Sequence, residues 1–165
     1  SSSAAGTSDV RMISSVALPF ALLLDKNIRD NSWQTAAMYF ETMAIASVGI
    51  NLSKGLISRP RPYVYNPSVS ESEKQKTDAT NSFFSGHTAI SVAGTFFAAT
   101  VFCDYNPDSK WKPVVWFGAA AIPLATGIYR YRAGKHFPTD VIVGYCWGAF
   151  SGIVIPQLHR LRKND

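Results

Sequence analysis

Residues 85–103, Ser85-Gly86-His87-Thr88-Ala89-Ile90-Ser91-Val92-Ala93-Gly94-Thr95-Phe96-Phe97 and on to Cys103, set a hydroxyl, a glycine and an imidazole ahead of a long apolar run. A serine directly before such a run is a good helix N-cap, because its oxygen can accept a first-turn N–H. The apolar residues that follow recur at helical spacing, without the sustained period-two alternation of a strand. The spacing predicts a helix over 87–103. Working outward, four more runs carry the same signature, at 10–24, 33–57, 113–129 and 139–158. The expected fold is all-α: a compact helical bundle of about five main helices with the active site at the helix ends. Within 33–57, Ala37, Phe40, Ala44, Val48 and Leu52 recur at threes and fours, which predicts one buried stripe. Pro19, Pro123 and Pro156 are expected to kink or end their helices.

The chain has 165 residues, 47% of them apolar and only 16% charged. That length suits one domain, read here as 10–165 after a flexible polar tail over 1–9. Charged residues make up about a quarter of an ordinary soluble domain, so this chain is core-rich, lipid-exposed or both. The formal charge of +5 is clustered, with Lys54, Arg59 and Arg61 in one group and Arg130, Arg132 and Lys135 in another. Such clustering favours an anionic ligand. No recognition helix, zinc spacing or aromatic-basic strand motif accompanies it, so no nucleic acid partner is expected. Cys103 and Cys146 both lie in apolar runs and read as small buried hydrophobes; whether they pair is open.

Segment 63–82 is the one long polar stretch, either a lid over the neighbouring motifs or a disordered excursion. The apolar runs reach only about 15–18 residues before a charge, short of the roughly 20 that a spanning helix needs. Glu41 interrupts the longest, and the mean hydropathy is +0.02. The expectation is a water-soluble or peripheral bundle, with kinked, short spanning helices as the alternative.

Three polar motifs stand out against this background. In Lys54-x6-Arg61-Pro62, Pro60 and Pro62 push their preceding residues towards extended geometry. Lys54 should therefore end a helix and Arg61 project from a stiff segment. Arg61 can offer a bidentate fork to phosphate oxygens and Lys54 a compact charge. In Ser85-Gly86-His87, the helix N-terminus is a ready anion site, and Gly86 permits close backbone approach. His87 is placed there to hand a proton to a leaving oxygen. In Arg130-x5-His136-x3-Asp140, Pro138 suits a helix first turn, and the Asp140 carboxylate is expected to accept the imidazole N–H. Taken singly, each motif also fits a solvated basic helix end, an ordinary cap or a structural histidine.

Together the motifs resemble those of the type 2 phosphatidic acid phosphatase (PAP2) superfamily, which also includes bacterial non-specific acid phosphatases and vanadium haloperoxidases. That pattern is Lys-x6-Arg-Pro, Pro-Ser-Gly-His, then Ser-Arg-x5-His-x3-Asp, and the likeness spans about 54–140. The resemblance implies that Lys54, Arg61 and Arg130 bind phosphate oxygens, with Ser85 and the Gly86 backbone adding hydrogen bonds. It makes His87 the general acid, His136 the nucleophile that forms a phosphohistidine, and Asp140 its orienting partner. Phe84 stands where proline is usual and Tyr129 where serine is usual.

The implied activity is metal-independent hydrolysis of phosphomonoesters or lipid or isoprenoid (pyro)phosphates, with no cofactor. The partner is a phosphorylated small molecule or lipid, with membrane surface contact as an option. An extracytoplasmic, periplasmic location follows from the same resemblance. A vanadium-dependent haloperoxidase and a non-enzymatic helical membrane or anion-binding protein are the competing readings.

Overall fold

Ser85 caps the central helix of the bundle: its side chain accepts the backbone N–H of Thr88, and helix α5 runs from there over Gly86–Tyr105. Around it lie α1 (Met12–Leu24), α3 (Ser32–Leu56), α6 (Lys112–Arg132) and α7 (Pro138–Leu158). The second half of α1, Leu18–Leu24, tightens into 3-10 geometry. Short helices α2 (Lys26–Asp30) and α4 (Glu71–Lys74) complete the set. This computed structural model describes residues 10 and 12–159, so the tail read over 1–9 lies outside the described residues. The five expected helices are present, and the described residues form no strand, only an isolated bridge between Arg59 and Asn81.

Why α5 sits in the middle follows from its small residues. Ala89, Ala93, Ala98 and Ala99 are buried on it together with Phe96 and Phe97. Helix α7 answers with Gly144, Gly148 and Gly152, one per turn. A Cβ at residue 144 would stand 2.6 Å from the Ser85 carbonyl oxygen, and one at 152 would stand 2.7 Å from that of Ala93. At residue 148 it would run into the Ala89 carbonyl. Small residues at this spacing let two helix backbones approach closely. Trp147, on the same helix, lies against Gly49 and donates to the Ala46 carbonyl at 3.2 Å, tying α7 to α3.

Helix α3 overturns the stripe predicted for it. Phe40, Val48 and Leu52 are 77%, 53% and 58% exposed, whereas Thr35, Met38, Thr42, Ala46 and Ile50 face inward. The bundle selects its inner face by how closely backbones can pack, and the bulky apolar residues point out. Phe117 and Leu124 on α6 and Ile142 and Phe150 on α7 do the same. Cys146 is exposed as well, contrary to its expected burial, while Cys103 is half-buried; both are free thiols. By length and composition α5 and α7 could cross a membrane, and α5 is mostly enclosed by its neighbours. Pro123 and Pro156 sit inside α6 and α7 rather than ending them.

Segment 63–82 is no open excursion. It forms 3-10 turns at Pro62–Tyr65 and Thr77–Thr80 with α4 between them. Backbone hydrogen bonds close it onto the stiff segment before it: Arg59 N to Thr80 O at 2.8 Å, Arg61 N to Ala79 O at 2.8 Å, and Ser82 N to Arg59 O at 3.0 Å. The C-termini of α3 and α6 and the N-termini of α5 and α7 meet at this end.

Candidate active site

The site begins with a stiff backbone. Arg61 is extended, at φ −71° and ψ 152°, between Pro60 and Pro62, as the sequence led one to expect. Its guanidinium is buried and held on three sides. Nε donates to the Asp78 carbonyl at 2.8 Å, Nη2 to the Asp78 carboxylate at 2.6 Å, and Nη1 to the Lys135 carbonyl at 3.1 Å. Nη1 also lies 3.4 Å from Nε2 of His136. A guanidinium fixed in this way loses little further entropy on meeting an anion.

His136 is buried just before α7. Its Nδ1 lies 2.7 Å from the carbonyl oxygen of Ser82 and 3.8 Å from Asp140 Oδ2. A carbonyl only accepts, so Nδ1 carries the proton and Nε2 presents its lone pair towards Arg61. The direct Asp140–imidazole hydrogen bond expected from the spacing is therefore replaced: the carboxylate sits one layer behind. Asp140 is fully buried and accepts from the Ser82 hydroxyl at 2.6 Å, the Phe137 N–H at 2.8 Å and Arg59 Nη1 at 2.6 Å. Oδ2, the oxygen nearer the ring at 3.8 Å, already accepts two of these donors. Arg59 also donates to Thr139 Oγ1 at 2.9 Å and lies 4.3 Å from the centroid of the Phe137 ring.

Ser85, Gly86 and His87 form the first turn of α5, and Ser85 N donates to the Asp140 carbonyl at 3.0 Å, locking the two helix starts together. Lys54, in the last turn of α3, reaches this turn. A Cβ on Gly86 would stand 3.9 Å from its Nζ and 3.3 Å from Ile50, so glycine keeps the approach open. Arg130 is buried in the last turn of α6. The charges of Arg61 and Arg130 both act on Lys54 and on His136. Lys54, Arg61, Arg130 and His136 are thus gathered at one end of the bundle beside the capped turn that carries His87.

Burial is the largest influence on His136 and holds its pKa below the ordinary imidazole value; the Asp140 carboxylate opposes this, and Arg61 and Arg130 reinforce it. Burial, then Arg61 and Arg130, likewise lower the pKa of Lys135. Among the described residues no three His, Cys, Asp or Glu side chains stand together as metal ligands would. Phe84, in the position where the family pattern has proline, packs into the core against Ile50 and Ala89.

Three residues at this site were not singled out by the motifs: Arg59, Asp78 and Ser82. Arg59 carried a hint in its place between Lys54 and Arg61. Ser82 and Asp78 lie in the polar segment, where no spacing distinguishes them from their neighbours.

The bundle thus brings two guanidiniums, an ammonium, a capped helix start and an oriented imidazole to one end. The chain belongs to the PAP2 superfamily, whose sequence profile matches residues 35–164. It is 28% identical over 158 residues to a probable diacylglycerol pyrophosphate phosphatase 1 of Schizosaccharomyces pombe, covering 79% of this chain and 57% of that protein. It is 34% identical over 125 residues to a lipid A 1-phosphatase of Rhizobium johnstonii, covering 74% of this chain and 47% of that protein. The chain spans about half the length of these curated relatives. In fold it is similar to a transmembrane PAP2-type phosphatidylglycerolphosphate phosphatase from Bacillus subtilis. That likeness has a TM-score of 0.61 at 20% identity, over 100% of this chain and 90% of the other.

Proposed function

We propose that this protein is a metal-independent phosphatase that hydrolyses lipid or isoprenoid phosphates and related phosphomonoesters through a phosphohistidine. The observation that carries this is the tautomer of His136: with Nδ1 committed to the Ser82 carbonyl at 2.7 Å, the Nε2 lone pair points at Arg61 Nη1, 3.4 Å away. Nε2 attacks phosphorus in line while Lys54, Arg61 and Arg130 hold the equatorial oxygens, with the Ser85–Gly86 turn adding N–H donors. The bond from phosphorus to the leaving oxygen breaks, and that oxygen takes its proton from His87. His87, now neutral, accepts a proton from water as the water oxygen bonds to phosphorus and the P–N bond breaks, its electron pair returning to Nε2. Phosphate leaves and His136 is restored. Such transfers depend mainly on positioning and charge, which fixed cations supply.

The outward-facing apolar side chains of α3, α6 and α7 support a seat in the membrane rather than the water-soluble bundle that composition favoured. Helices of this length span about 30 Å, the thickness of a bilayer core. The reacting end then lies at one membrane surface, where a lipid headgroup can enter it. In line with the family resemblance, that surface is the extracytoplasmic one.

The test is phosphate release from lipid, isoprenoid and soluble phosphates, with and without chelator, coupled to an acid-labile, base-stable phosphoryl trap. Chelator-resistant turnover with label on His136 is expected. No turnover on any substrate, or label on another residue, overturns the reading.

A further inference from the structure

The edge of a guanidinium formed by Nε and Nη2 offers an oxyanion two parallel donors. On Arg61 that edge is closed. The Asp78 backbone carbonyl accepts from Nε at 2.8 Å, and the carboxylate of the same residue accepts from Nη2 at 2.6 Å. On the other side Nη1 donates to the Lys135 carbonyl at 3.1 Å and lies 3.4 Å from His136 Nε2. A phosphate that enters to meet His136 therefore finds an anion already seated on its arginine.

The two acceptors of Asp78 are not equivalent. Its backbone is fixed by the pairing beside it, Arg61 N to Ala79 O at 2.8 Å and Arg59 N to Thr80 O at 2.8 Å. The carbonyl therefore stays in place wherever the side chain goes. The carboxylate belongs to a side chain that is 61% exposed, against 4% for that of Arg61. Releasing Nη2 returns the carboxylate to water, while the carbonyls of Asp78 and Lys135 still hold the guanidinium. As a tether the carboxylate is redundant. As an anion it competes for a donor that a phosphoryl oxygen needs.

The charge of Asp78 reaches beyond Arg61. It acts on Lys54 and on Lys135 as well, so the carboxylate sits among the cations that a bound oxyanion would share. Glu73 also acts on Lys135, but its carboxylate is paired with Lys76 on the loop.

We propose that Asp78 is a positioning residue that acts through Arg61 as the internal counter-anion of the cradle. Its carboxylate holds Nη2 in the empty site, substrate phosphate displaces it, and its return helps to expel the product phosphate. Asp78 thereby sets how tightly the cradle holds phosphate. This rests on the phosphatase reading above. No covalent bond changes: one N–H to carboxylate contact is exchanged for one to phosphate, and the carboxylate swings into solvent still ionised. Weaker holding of substrate and product alike costs no rate once substrate is abundant, and it frees the site faster when product release limits turnover.

The test is calorimetric titration of inorganic phosphate into the full chain in detergent. Asp78→Asn removes the charge and keeps the shape; Asp78→Ala removes the side-chain acceptor, and both keep the backbone carbonyl. Each is expected to bind phosphate about tenfold more tightly than wild type, as release from one competing charge-assisted contact would allow. KM and the inhibition constant for phosphate should fall together, with kcat level or reduced. A carboxylate that merely supports Arg61 gives the opposite sign, weaker phosphate binding and a higher KM. Glu73→Gln removes a carboxylate from the same loop and should change the affinity by less than about threefold. Asp78 variants that bind within about threefold of wild type, or more weakly, overturn the proposal, as does an equal tightening in Glu73→Gln. If no form of the protein binds phosphate, the oxyanion cradle and the phosphatase reading fail. If wild type binds it and the Asp78 variants bind it no better, this proposal alone fails.

Discussion

Ser82 holds His136 and Asp140 at once: its carbonyl oxygen lies 2.7 Å from the imidazole Nδ1, and its hydroxyl donates to the carboxylate at 2.6 Å. One residue thus joins the proposed nucleophile to a buried charge that does not touch it directly. Ser82→Ala keeps the carbonyl but cuts the link to Asp140. It should lower kcat on the order of tenfold with little change in KM, because a slightly misplaced nucleophile costs rate rather than binding. Unchanged steady-state parameters would mean that the hydroxyl positions nothing.

His136→Ala should abolish the covalent route and lower kcat by about three orders of magnitude or more. Single-turnover phosphate release with purified protein, corrected for contaminants, measures it. His87→Ala should hurt substrates with poor leaving groups most and p-nitrophenyl phosphate least, since nitrophenolate scarcely needs a proton.

Asp140→Asn leaves Arg59 without its counter-charge and weakens the hold on the Ser82 hydroxyl. Asp140 is fully buried while a third of the Arg59 side chain is exposed. The cost should be about 2–3 kcal/mol of stability, at or just below the roughly 3–5 kcal/mol of a fully buried pair because the remaining Arg59 can meet water. Thermal unfolding in detergent reads it. Arg59→Met leaves the buried Asp140 carboxylate without its counter-charge and should cost at least as much.

The lowered pKa of His136 sets a pH window. The neutral ring is the attacking form, so the acid limb of kcat/KM should fall below the ordinary imidazole value of about 6.5. Stability follows the same group. Between the two pKa values the unfolded chain binds the proton and the folded one does not. The contribution is complete above about pH 6.5 and erodes as pH falls through that window. His136→Gln should flatten this part of the stability curve.

Gly148→Ala puts a methyl group into the Ala89 carbonyl where α5 and α7 are closest. A loss of about 1–3 kcal/mol is expected, as for other overpacked cores. Gly118, with open space around it, serves as control: Gly118→Ala should be neutral or slightly stabilising.

Helix starts at Ser85 and Pro138 were legible because capping and a proline first turn act through immediate neighbours. The same holds for the extended Arg61, forced by its flanking prolines. The α3 stripe was not legible. Hydrophobic periodicity assumes water outside, and here Phe40, Val48 and Leu52 face outward while Thr42 and Ala46 pack inward. Ser82 and Asp78 escaped notice for another reason. Their roles come from contacts 54 and 17 residues away in the chain, made by a loop whose closure depends on backbone pairing rather than residue type.

All four helix ends that build the site lie at the same pole of the bundle. In a bilayer such a molecule is one-sided: its orientation on insertion decides which leaflet it can draw from, and the opposite leaflet is out of reach unless lipids flip. Sidedness of turnover in vesicles would thus report how the protein is inserted.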